Sequence, residues 1–83
     1  MGAPLPATDR TLDLRGEVCP YTLLKSKLAL EEMAMGQVLE VVLDHRPAAE
    51  DVPKGLRYEG QEVLLVEATS ASEWRVVVRK AHA

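Results

Sequence analysis

The chain has 83 residues, 47% hydrophobic and 28% charged, which sizes it for one globular domain. Ten Lys and Arg against thirteen Asp and Glu give a net charge of −3, and Trp74, Tyr21 and Tyr58 are its only aromatics. These numbers argue against nucleic-acid binding driven by phosphate contacts and against a base-stacking platform, and a single cysteine excludes an internal disulfide or a cysteine-only metal site.

In chain order, residues 1–9 are Pro- and Ala-rich and read as a disordered tail ahead of one domain over 10–83. The start has no basic and apolar segments of a secretory signal, and Pro6 breaks a myristoylation motif. No apolar run nears the ~20 residues of a membrane span. The expected location is therefore the cytoplasm.

Thr11 to Leu14 alternate as a strand does, and Arg15 and Gly16 end the pattern. Pro20 to Met35 are rich in strong helix formers, with Gly36 at the expected C′ position. Gln37 to Asp44 read as a strand buried on both faces. Pro47 suits the first turn of a second helix with Val52 and Leu56 as core contacts, Pro53 predicts a break or restart, and Gly60 ends it. Glu62–Ala68 and Trp74–Lys80 read as two strands joined by a hairpin-type turn. The order β-α-β-α-β-β predicts an α/β two-layer sandwich, a mixed four-stranded sheet with two helices on one face.

On the first helix, Leu23, Leu30, Met33 and Ala34 form one apolar stripe and Leu24 with Leu28 a second. Lys27 and Glu31 fall between them, either as an exposed i,i+4 ion pair or beside a stripe that faces a partner. Residues 17–25, EVCPYTLLK, hold the lone thiol. With Cys19 as N-cap, Pro20 is N1, Thr22 is N3, and Val18 can staple to Leu23. Unpaired first-turn N–H groups and the helix dipole favour a thiolate there. Arg15 and Lys25 add positive potential, and Glu17 opposes it. The alternative is a buried, inert cysteine acting as a small hydrophobe. His45 and His82 have no ligand spacing to Cys19, and no metal or cofactor motif is visible. Gly16, Gly36, Gly55 and Gly60 read as scattered turn and cap residues.

Leu12, Asp13, Arg15 and Gly16, then Cys19-Pro20 opening a helix, then Gly36, Asp44, Pro47, Asp51, Val52 and Pro53 stand in the order and spacing of a known motif set. Over residues 11 to 80 the chain resembles the TusA/SirA-like sulfurtransferase family. The resemblance implies a sulfur carrier on which Cys19 holds sulfane sulfur as a persulfide, with Pro20 its companion at the helix start. It implies a cysteine desulfurase or rhodanese-like donor and a downstream acceptor protein, serving tRNA thiolation, cofactor synthesis or sulfur metabolism. The family's second proline is Thr22 here, giving Cys-Pro-Tyr-Thr. The N–H of Thr22, absent from a proline, is expected to lower the thiol pKa.

Pro20, Tyr21 and Thr22 are the expected thiolate support, and Arg15, Lys25 and Lys27 the expected docking cations for an acidic partner face. A monomer is the simplest expectation, with a dimer open through an exposed stripe of the first helix. Two other readings stand beside the relay: a regulatory or binding module with a structural cysteine, and a redox sensor that dimerises through Cys19.

Overall fold

A computed structural model describes residues 8–18 and 20–82. Its elements run β1 (Arg10–Asp13), α1 (Tyr21–Glu31), β2 (Val38–Leu43), α2 (Arg46–Tyr58), β3 (Glu62–Ala68) and β4 (Trp74–Arg79). The sheet order is β1-β2-β4-β3, with β1 parallel to β2 and both other pairings antiparallel. This is the two-layer β-α-β-α-β-β sandwich that the residue pattern predicts.

The core lies between the helices and alternate residues of the central strands. Leu39, Val41 and Leu43 of β2 and Val76 and Val78 of β4 meet Ala29 and Leu30 of α1 and Ala48, Val52 and Leu56 of α2. On the other face of β2, Glu40 and Val42 are half-buried, so the strand is not closed on both sides. Glu40 lies 3.2 Å from Arg75 of β4 and accepts a hydrogen bond from Thr11 of β1. A cross-strand polar row covers much of that face in place of a second helical layer.

Three local readings are corrected. First, α1 ends at Glu31 rather than Met35. Glu32 and Met33 donate to carbonyls three residues back, the tightened geometry of a terminating helix. The buried Lys80 ammonium donates to Met33 O at 2.7 Å, placing a cation at the negative end of the helix. Gly36, at φ +85°, belongs to the following turn.

Second, Pro53 lies inside a continuous α2. Burial of Pro53 beside Val52 and Leu56 outweighs the one backbone bond that proline forfeits. Third, Gly55 is no turn residue. It sits within α2, where a Cβ would come 2.6 Å from Cδ2 of Leu23, so its missing side chain sets how closely the two helices pack. Gly60, at φ +87°, does follow the helix as expected.

Before β1, Asp9 donates its N–H to Val38 O and accepts from Val38 N, both at 2.8 Å. The ordered chain therefore reaches into what reads as tail; residues 1–7 lie outside the described residues.

Candidate functional site

The segment from Leu14 to Pro20 joins the carboxyl end of β1 to the start of α1. Leu14 is buried and donates to Val42 O at 2.9 Å, carrying the β1–β2 pairing one residue past the strand. Arg15 then folds back on Asp13. Its Nε and Nη2 donate to Oδ1 and Oδ2 at 3.0 and 2.8 Å, and its backbone N–H reaches Oδ1 at 3.1 Å. This bidentate fork is the favoured geometry of guanidinium and carboxylate. The Arg15 side-chain hydrogen bonds, with help from its backbone N–H, hold the Asp13 carboxyl at about 2, below its usual 3.8. Asp13 in turn raises the Arg15 guanidinium further above its ordinary value. Glu73, in the β3–β4 turn, lies 3.7 Å from Arg15 Nη1.

Gly16 takes the left-handed conformation, φ +88°, and donates its N–H to Oδ1 of Asp44 at 2.9 Å. Asp44 immediately follows β2. Motif residues far apart in sequence thus meet at one end of the sheet and fix the path of the chain three residues before the thiol. Glu17 donates to Leu14 O and accepts from Lys25 Nζ at 2.6 Å, tying the loop to the second turn of α1.

Cys19 itself lies outside the described residues. The helix start beside it differs from the expected register. The N-cap is Pro20, whose carbonyl accepts from Leu24 N at 3.1 Å, so Tyr21 is N1 and Thr22 is N2. Ahead of the helix, Tyr21 donates its N–H to Val18 O at 2.9 Å. The expected staple is not in register: Leu23 packs against the core, whereas Val18 is half-exposed.

Of the first stripe read on α1, Leu23, Leu30 and Met33 face the core and Ala34 is exposed. Thr22 and Ser26 are fully buried, with Ala29, Leu30 and Met33 continuing that side. The Ser26 hydroxyl donates to Thr22 O at 2.8 Å within the helix, which makes its burial tolerable. Leu24 and Leu28 are each 50% exposed, Tyr21 55% and Val18 49%. Lys27 does not pair with Glu31; it reaches Glu59 at the end of α2 at 2.7 Å. That hydrogen bond, then the Lys27 charge, lowers the Glu59 carboxyl, with a smaller effect from His82.

Arg15, Lys25 and Lys27 each have a carboxylate partner. The first two are tied to carboxylates of the thiol loop and the third to α2. Spacing alone gives no sign of the Lys27–Glu59 and Gly16–Asp44 links, which depend on the tertiary fold. The Asp13–Arg15 clamp does leave a local signal, an aspartate two residues ahead of an arginine and followed by glycine.

Among the described residues no group of three His, Cys, Asp or Glu could hold a metal ion. A cleft of about 100 Å³ lies at the far end of α1, lined by Leu30, Glu31, Leu56, Glu59, Lys80 and His82 among others. It is remote from the thiol loop. No helix of the described residues is long and apolar enough to cross a membrane.

Comparison with known proteins matches residues 10–80 to the family model described as sulfurtransferase TusA. An Archaeoglobus fulgidus protein described as a candidate sulfur carrier is 49% identical over 72 residues, covering 87% of this chain and 82% of its own length. A Thermotoga maritima protein of the same description is 40% identical over 70 residues, covering 84% and 89%. In fold, the chain is similar to the crystal structure of a SirA-like protein from Desulfitobacterium hafniense. The TM-score is 0.77 at 23% identity, over 88% of this chain and 99% of that one. The motif residues that converge on the thiol loop and the match along nearly the whole domain lead to one assignment: the chain belongs to the TusA sulfurtransferase family.

Proposed function

We propose that this protein is a sulfur carrier, taking sulfane sulfur on Cys19 as a persulfide and passing it to another protein. The observation that carries this reading is the match of residues 10–80 to the sulfurtransferase family, in a chain whose lone cysteine stands two residues before α1 in sequence. The first-turn N–H groups and the dipole of α1 favour a thiolate beside Pro20. The loop anchored by Asp13, Arg15 and Asp44 supplies a fixed approach to that turn.

In the loading step the Cys19 thiolate attacks the outer sulfur of a donor persulfide. A new S–S bond forms as the donor's own S–S bond breaks. The electron pair leaves with the donor thiolate, and the proton stays with the transferred sulfur unless solvent takes it. No external oxidant or reductant enters. A cysteine desulfurase or rhodanese-like protein fits as donor, and the acceptor is a protein thiol in tRNA thiolation, cofactor synthesis or sulfur metabolism. The carrier works as a cytoplasmic monomer, with Tyr21 and Thr22 completing the helix start. The Thr22 N–H lowers the thiol pKa relative to a Thr22→Pro variant, which a titration of thiolate absorbance checks.

The test is intact-protein mass spectrometry after incubation with a cysteine desulfurase and cysteine, or a rhodanese and thiosulfate, beside Cys19→Ser. A reductant-sensitive gain of one sulfur on the native chain alone is expected. No gain from either donor would instead favour a binding module with a structural cysteine, and a Cys19-linked covalent dimer under mild oxidation would favour a redox sensor.

A further inference from the structure

The cleft of about 100 Å³ at the far end of α1 contains a charge that the fold leaves without a counter-ion. Lys80, the residue after β4, lines it and is only 9% exposed. Its ammonium donates to Met33 O at 2.7 Å. An ammonium carries three N–H donors. Among the described residues the other two have no acceptor, and no carboxylate forms an ion pair with Lys80. A buried charge with a single neutral partner is costly, so this part of the cleft favours an anionic group with oxygen acceptors.

The rest of the lining narrows the ligand. Lys27 and Glu59 pair at 2.7 Å, which cancels their charges and joins α1 to α2 along one wall. Glu31 is exposed at the cleft and has no cation partner among the described residues. A bare anion drawn to Lys80 meets the Glu31 carboxylate, and a bare cation drawn to Glu31 meets Lys80. A ligand that carries both charges a few ångströms apart satisfies the two together. Leu30 and Leu56 make the remaining lining apolar, which suits a short aliphatic group. Volume limits its size, since a cavity of roughly 150 Å³ takes benzene and this one is smaller.

The opposite wall is set in advance. Gln61 accepts from Ala81 N at 2.8 Å and from His82 N at 3.1 Å, and its amide donates to His82 O at 3.1 Å. The segment after β4 is thereby strapped to the turn that follows α2. Gly60 allows the close approach, since a Cβ there would lie 3.3 Å from Cβ of His82. Walls fixed before binding lower the ordering cost of holding a small ligand.

We propose that this cleft is a binding site for a small α-amino acid, with its carboxylate on Lys80, its ammonium toward Glu31 and its short side chain toward Leu30 and Leu56. The site is separate from the thiol loop and does not rest on the sulfur-carrier reading. Lys80 serves it while also holding the end of α1 through Met33 O.

The experiment follows the backbone amide signals of the full isotope-labelled chain by NMR at fixed pH and ionic strength. The probes are L-alanine, propionate (alanine without its ammonium) and ethylamine (alanine without its carboxylate). L-Alanine is expected to shift the amides of Glu31, Gln61, Lys80 and His82 and to saturate at about millimolar concentration, with both single-charge probes about fivefold weaker or more. Glu31→Gln, at an exposed site that leaves the core untouched, is expected to weaken L-alanine about fivefold while propionate binds as well as before or better. Lys80→Met is expected to abolish binding, and Glu31→Gln alone decides if the loss of Lys80 unfolds the chain. Propionate bound as tightly as L-alanine would make the cleft a plain anion site and overturn the proposal. No saturable shift up to roughly 50 mM L-alanine, or equal L-alanine binding by the native chain and Glu31→Gln, would overturn it as well.

Discussion

α2 turns Ala48, Val52, Pro53 and Leu56 to the core and most of its charged side chains to water, whereas α1 buries Thr22 and Ser26 and leaves Tyr21, Leu24 and Leu28 half exposed. The first pattern follows from burial energetics alone, because each apolar side chain removed from water stabilises the fold. The second spends apolar residues where they add little to folding. α2 is accounted for by the core it covers, whereas the outer face of α1 adds little to that core.

Substitutions separate the two roles. The largest effects belong to the core-facing positions: Leu56→Ala in α2 and Leu30→Ala in α1, both at sites almost without exposure, are each expected to cost about 2–5 kcal/mol in denaturant unfolding. On the outer side, Leu24→Ala and Leu28→Ala are expected to change stability by less than about 0.5 kcal/mol. Core-like losses at Leu24 or Leu28 would erase the contrast between the faces.

Gly55→Ala tests the closeness of the helix pair. Alanine gains about 1 kcal/mol of helix propensity, but its Cβ would meet both methyl carbons of Leu23 within 3 Å. The expected outcome is a net loss of about 1–2 kcal/mol, read from the unfolding midpoint and partly relieved by adding Leu23→Ala.

Asp44→Ala removes the acceptor for Gly16 N–H and is expected to cost about 1 kcal/mol and to shift the pH profile of Cys19 alkylation, because the loop before the thiol loses its anchor. Asp44→Asn, which keeps an oxygen at that place, is expected to restore most of both. A profile the same for all three proteins would detach the thiol from this anchor.

The smallest effect is acid dependence at the clamp. The Asp13 carboxyl titrates at about 2 in the fold against an ordinary 3.8, so its ionised form is favoured by folding. Its contribution is present above about pH 4 and is lost as the pH falls toward 2. The stability gap between the native chain and Asp13→Asn is therefore expected to be small at neutral pH and to close over that interval. A gap that widens on acidification would contradict the direction of the shift.

The strand and helix order was legible because Leu39 to Leu43 and Val76 to Val78 form compact apolar runs and because glycine and proline punctuate the chain between elements. The core contacts Val52 and Leu56 were legible from periodicity. The burial of Thr22 and Ser26 was not, since a small hydroxyl can satisfy itself within the helix and read as surface. Pro53 misled in the same way: a local rule for helix interiors gave way to tertiary burial. At the candidate site, the lone cysteine before a proline and the motif residues could be found in sequence. Asp44 meeting Gly16 and Lys27 meeting Glu59 could not, because both depend on crossings of the fold that no spacing encodes.

The central claim is that sulfur passes through Cys19 rather than ending there. Thiol–persulfide exchange is reversible, so a carrier loaded with radiolabelled sulfur must return label to sulfur-free donor protein. The most direct measurement is that back-transfer, followed on the separated proteins after mixing labelled carrier with unlabelled, uncharged donor. The account predicts label on the donor thiol and its loss from Cys19. Label that stays on Cys19 while the donor thiol remains free would contradict it.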